Sequence, residues 1–105
     1  MKRIATITKL KPGVAEEYRR VHDGIWPEVV EAAHEANMRN FTIFRCGDYL
    51  FSCYEYLGDD FEADMARKAA KPDSPKWQET TGAFMEPVDG EEMKIALEEF
   101  WHHDF

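Results

Sequence analysis

The sequence predicts an α+β fold: a four-stranded antiparallel sheet with its helices on one face. Three observations predict it. Apolar residues recur with period two at both ends of the chain and with helical spacing between. A Gly-Asp pair joins two runs rich in aromatic and β-branched residues. The resulting order is β-α-β-β-α-β, which lays both helical stretches on one side of the sheet in the ferredoxin-like manner.

Residues 2–10 alternate, with Ile4, Thr6, Thr8 and Leu10 on one face and Arg3, Ala5, Ile7 and Lys9 on the other. That is a strand. Lys11-Pro12-Gly13 interrupts it. From there Val14, Tyr18, Val21 and Ile25 are spaced as one helical stripe. Gly24 and Pro27 limit this helix, and residues 26–37 continue as a second piece, or as one kinked helix. Residues 40–46 and 49–56 form a hairpin about Gly47-Asp48, with glycine first as a type II′ turn prefers. Residues 59–70 read as a helix capped by Asp59 or Asp60, with a stripe of Phe61, Met65 and Ala69. Pro72 and Pro75 end it, a short helix follows at 76–85, and residues 92–101 alternate as the last strand. The sheet face away from the helices still carries apolar residues, and a second copy packed sheet to sheet would cover it.

The 105 residues suffice for one domain, spanning 1–105. The formal charge is −8, from 13 basic and 21 acidic side chains. This argues against nucleic acid, whose phosphates need Lys and Arg, and against an anionic membrane surface. It favours a neutral or cationic small ligand. Cys46 and Cys53 read as two buried free thiols. The sequence shows no signal peptide, transit sequence or membrane span, so the expected location is the cytoplasm. Phosphate, dinucleotide and hydrolase motifs are also missing.

Tyr18 and His22 lie four apart, one turn of helix, on one face. Histidine titrates near neutrality and can give or take a proton, and a neighbouring tyrosine can hydrogen-bond a ligand hydroxyl. The same spacing suits a core tyrosine with a histidine at its polar border. Trp26 follows by four residues; its indole suits the apolar face of a sugar ring, or a core. Trp77, in a Pro-bounded segment, suits a pocket wall or simple packing. Phe41 opens the second strand and can turn its ring towards the helices. His102-His103 in an extended tail point to opposite sides and make poor joint metal ligands, so no metal site is expected.

Residues 11–28, KPGVAEEYRRVHDGIWPE, closely resemble the L-rhamnose mutarotase family. The likeness continues through Asn40, Leu50-Phe51, Ala63-Asp64-Met65, Trp77 and Phe100-Trp101. It implies a ferredoxin-like homodimer of the dimeric α+β barrel type and a cofactor-free aldose 1-epimerase, acting on a free monosaccharide. It also implies that His22 is the proton donor and that Tyr18 contacts the sugar. By the same match Phe41, Lys76 and Trp77 line the pocket, where the family often has tyrosine at 41 and paired tryptophans at 76–77. Those departures leave the catalytic block intact and alter the lining, so L-fucose or another neutral aldose stands beside L-rhamnose. Two other readings share this architecture: a cofactor-free monooxygenase, and a non-catalytic dimeric module whose aromatics are only core and interface.

Overall fold

A computed structural model describes the whole chain, residues 1–105. The elements are β1 (Lys2–Leu10), α1 (Ala15–Asp23), α2 (Pro27–Glu35), β2 (Met38–Cys46), β3 (Tyr49–Tyr56), α3 (Phe61–Ala69), α4 (Ser74–Gly82), β4 (Met85–Glu86) and β5 (Ile95–Leu97). The sheet runs β2-β3-β1-β4, every pair antiparallel, with β5 also on β1. This is the expected ferredoxin-like order.

The hairpin forms as the sequence demands. Cys46 pairs with Tyr49, and Gly47 takes φ +62°, a value that costs glycine little. The stretch after Gly24 is a separate helix, not the continuation of a kinked one. Trp26 is extended at its N-terminus and Pro27 fills the first turn, where no amide partner is lost. Asp60, not Asp59, caps α3, its Oδ1 accepting from the Ala63 amide at 3.1 Å. Helix α4 starts at Ser74, two residues earlier than expected, because Pro75 opens this helix instead of ending the one before.

The predicted last strand over 92–101 is corrected. Its place on the free edge of β1 is shared by two short pieces. Met85 and Glu86 occupy the end at Leu10 and Lys9, while Ile95–Leu97 pair with Ile7–Ala5. The alternation in 92–101 marks extended chain, but β1 is nine residues long and one end is already taken. Beyond Leu97 only side chains bind the tail: Arg3 donates to Glu99 Oε1 at 3.2 Å and meets His102 Nε2 at 3.0 Å.

Register sorts the sheet faces. Leu10, Thr8, Thr6 and Ile4 share the helix face with Leu50, Ser52 and Tyr54. The other face carries Ile7, Phe44, Phe51, Ile95 and Leu97, with Phe44 and Leu97 exposed. Cys46 lies exposed at that face and Cys53 is half-buried, so the expectation of two buried thiols fails for Cys46. Nine of 105 residues are buried, so the helices do not close fully over the sheet. The tightest cluster joins Leu10, Tyr18 and Leu50.

In α3 the expected stripe is half right. Phe61 and Met65 turn inward, but Ala69 is exposed and the charged Asp64 is buried. Partners make that burial tolerable. Tyr56 donates its hydroxyl to Asp64 Oδ2 at 2.5 Å, Asn37 donates at 3.1 Å, and Arg67 pairs with Oδ1 at 2.6 Å. A side chain at position 58 would run into the Tyr56 hydroxyl and the Asp64 carboxylate, so Gly58 is required by close approach. The hydrogen bonds from Tyr56, Asn37 and Arg67 hold the Asp64 carboxyl below its ordinary value, outweighing burial.

A carboxyl whose pKa is lowered by folding stabilises the fold above its ordinary value of 3.8 and loses that contribution as pH falls through the lowered one. Asp64→Asn is therefore expected to melt well below wild type at neutral pH, with the gap narrowing in acid. Thermal melts at neutral pH and below about pH 4 check this; a gap independent of pH contradicts it.

Candidate functional site

Helix α1 positions two of the predicted residues. The ring of Tyr18 packs on Leu10 and Leu50, with Val14, Ile43, Phe84 and Met85 around it. Burial pushes its phenol up to about 12, so at neutral pH it is a hydrogen-bond donor and not a base. One turn on, His22 stacks beside it with ring centroids 4.3 Å apart. His22 Nδ1 lies 3.1 Å from the Tyr18 carbonyl oxygen. A carbonyl oxygen only accepts, so Nδ1 carries the proton and Nε2 is the chemically available nitrogen.

The tryptophans complete the group. Trp77 on α4 meets His22 edge-on at 5.5 Å, and Trp26 meets Trp77 at 5.1 Å. Edge contacts of this kind contribute about 0.5–1.5 kcal/mol each beyond the area they bury. Trp26 reaches this position because it stands just before α2, where the chain turns between two helices. Thus Tyr18, His22, Trp26 and Trp77 form one continuous aromatic group.

Phe41 and Lys76 do not join it. Register shifts between Arg39 and Thr42, with Asn40 at φ +54°, so Asn40 and Phe41 together oppose Tyr54. Phe41 stacks on Tyr54 at 6.0 Å. Tyr54 belongs to the helix face, so Phe41 turns towards the helices as expected, but its partner there is Tyr54 and its ring is 53% exposed. Lys76 is exposed on α4, its neighbour Trp77 taking the inward position.

A cavity of about 420 Å³ opens beside Tyr18 and His22. That is within the usual range for small-molecule sites, about 300–1,000 Å³. Ile43 and Leu50 form its floor, and Glu16, Arg19 and Arg45 add charge. Ser52 lies beside these two on the same sheet face, pairing with Ile43. Sequence reasoning missed Glu16, Arg19 and Arg45. The spacing of Glu16 and Arg19 resembled any solvated helix face, and Arg45 reaches the site only through strand pairing. Phe84, edge-on to Tyr18 at 5.8 Å, was also missed. It is held by the amide of Lys11, which donates to the Phe84 carbonyl, and by Lys11 Nζ, which donates to that of Ala83.

No three His, Cys, Asp or Glu side chains are grouped to hold a metal ion. The cavity offers one imidazole, one phenol, one carboxylate and two guanidinium groups, while Trp26 and Trp77 stand behind His22 and do not line it. Such a set suits proton transfer on a small polyhydroxylated molecule.

The model of the L-rhamnose mutarotase family matches residues 3–103. A relative from Phocaeicola vulgatus, named L-rhamnose mutarotase, is 33% identical over 107 aligned positions, covering 99% of this chain and 100% of its own. Among solved structures, the L-rhamnose mutarotase of Formosa agariphila superposes with a TM-score of 0.80 at 23% identity, covering 99% of this chain and 100% of its own. Tetracenomycin F2 cyclase of Streptomyces glaucescens gives 0.64 at 22% identity, covering 98% and 99%. At such identities these two structures speak for the fold alone, one that also hosts polyketide chemistry.

The hydrogen bond at Nδ1 has a direct spectroscopic consequence. Neutral His22 is expected as the Nδ1–H tautomer, read from long-range ¹H–¹⁵N correlations of the imidazole; a dominant Nε2–H signal contradicts the assignment.

Proposed function

Since the chain belongs to the L-rhamnose mutarotase family, we propose that it interconverts the α and β anomers of L-rhamnose or a related 6-deoxy sugar such as L-fucose. Family membership makes it an isomerase acting on a sugar. His22 carries the reading of the site: its ring lines the cavity, Nδ1 is tied to the Tyr18 carbonyl, and Nε2 is free.

Anomer exchange proceeds through the open-chain aldehyde. Protonated His22 gives its Nε2 proton to the ring oxygen as the C1–O bond breaks, and the C1 hydroxyl loses its proton. The neutral imidazole keeps the Nδ1 proton on the Tyr18 carbonyl throughout, so the ring need not turn. After rotation about the C1–C2 bond, closure on the other carbonyl face reverses both transfers. Glu16, a carboxylate among the residues lining the cavity, is our candidate to take the C1 proton, directly or through water. Tyr18, which stays protonated, donates to a sugar hydroxyl. Trp26 and Trp77, which pack behind His22, are the apolar surface we assign to the sugar edge that bears the 6-methyl group. Phe41 and Lys76 act at the periphery, where they modulate which sugar is preferred.

The catalytic unit is one domain over 1–105, acting in the cytoplasm without cofactor, nucleic acid or membrane. No helix is long and apolar enough to cross a membrane. The uncovered sheet face of Ile7, Phe44, Phe51 and Leu97 supports a sheet-to-sheet homodimer.

Saturation transfer between the anomeric protons of L-rhamnose is expected to rise with enzyme and to fall about 10²–10⁴-fold in His22→Ala. Unchanged exchange in that variant removes His22 from the mechanism, and no exchange from folded wild type removes the activity. For the dimer, light scattering is expected to give twice the chain mass for wild type and the single mass for Phe44→Asp. A wild-type monomer refutes this assembly.

A further inference from the structure

The sheet beside the His22 cavity carries three hydroxyls that bond nothing in the protein. Thr6, Thr8 and Ser52 share the helix face with Leu10 and Leu50. Thr8 stands opposite Leu50, and Ser52 stands opposite both Thr6 and Ile43. Leu10, Ile43 and Leu50 line the cavity, so Thr8 and Ser52 border it and Thr6 completes the patch between them. Opposed residues lie about 4.5–5.5 Å apart at Cβ, and successive residues on one face about 7 Å apart along a strand. One monosaccharide spans such a patch.

Other hydroxyls in the chain are bonded. Those of Thr42, Thr80 and Thr81 each donate to a backbone carbonyl. Thr6 and Ser52 do not bond even each other, although opposed hydroxyl residues in a sheet commonly do. All three residues are half-buried, yet no polar side-chain atom is sealed from solvent without a partner. Their hydroxyls therefore open onto accessible space on the helix side of the sheet. We propose that Thr6, Thr8 and Ser52 are specificity-determining residues, which hydrogen-bond the hydroxyls of a neutral monosaccharide whose anomeric end meets His22.

The chemistry of the patch selects that ligand. It carries no charge, so it offers an ionic group nothing beyond what water offers. An apolar ligand would cover three hydroxyls and leave each without a partner, which is costly. A hydroxyl both donates and accepts, so it matches a sugar hydroxyl in either direction. The positions also lack a structural reason for polarity. A hydroxyl without a partner adds nothing to packing against a helix layer, and valine or alanine would serve the fold as well. Residues kept polar at such a cost are characteristic of ligand sites.

This inference rests on the mutarotase reading for the molecule that enters the cavity. Thr6→Val, Thr8→Val and Ser52→Ala remove one hydroxyl each with little change of shape. Affinity for L-rhamnose is read from an NMR titration of the ¹⁵N-labelled full chain, and stability from thermal melts without sugar. Each variant is expected to melt at or above wild type and to bind L-rhamnose about threefold to tenfold more weakly, the loss of one hydrogen bond. A merely structural role gives the opposite pair of results, a lower melt and an unchanged affinity. Affinity unchanged in two or more of the variants overturns the proposal, as does a folded wild type that binds no L-rhamnose. L-rhamnose bound without exchange of its anomers fails the mutarotase reading alone, and the variant affinities then still decide the role of the three hydroxyls.

Discussion

Tyr18 joins the core of this protein to its proposed active site. Its ring closes the cluster of Leu10 and Leu50, and its own backbone carbonyl holds His22, the proton donor we propose. Because the residues are one turn apart on α1, anything that fixes the tyrosine ring in the core also fixes the imidazole. The sheet therefore helps to position Nε2 through the tyrosine. A loose helix layer would be a poor scaffold for acid–base work, which needs its donor within hydrogen-bond reach of the substrate. Anchoring the histidine through a core tyrosine solves that problem in a chain with only nine buried residues.

The second support comes from α4. Trp77 is buried and contacts both His22 and Trp26, so a helix from the far end of the chain closes the wall begun by α1 and α2. The Asp64 network does related work at the other end of the layer. It binds α3 to Tyr56 of β3 and to Asn37 beside α2, and Arg67 adds a bond to the Glu35 carbonyl. Charged groups thus hold helices where apolar side chains are too few.

Much of this was legible in the sequence, for physical reasons. The hairpin followed from a glycine that tolerates positive φ, and α1 from a stripe at helical spacing. Tyr18 and His22 were visible because residues four apart on a helix share a face. Other features needed three dimensions. Two short strands share one edge of β1 because Met85 and Glu86 already hold its Lys9–Leu10 end, which alternation in 92–101 does not reveal. The buried network of Asp64 is not visible in the sequence, since its partners come from positions 37, 56 and 67. Phe41 matched by position, but the bulge at Asn40 and Phe41 sets it against Tyr54, a displacement that depends on strand register.

A structure of the chain with L-rhamnose bound would show which atom faces His22 Nε2. The sugar ring oxygen is expected about 2.6–3.2 Å from His22 Nε2, with Nδ1 still on the Tyr18 carbonyl and the 6-methyl group against the tryptophans. A sugar seated away from His22, or one met by Nδ1 instead, would contradict this expectation.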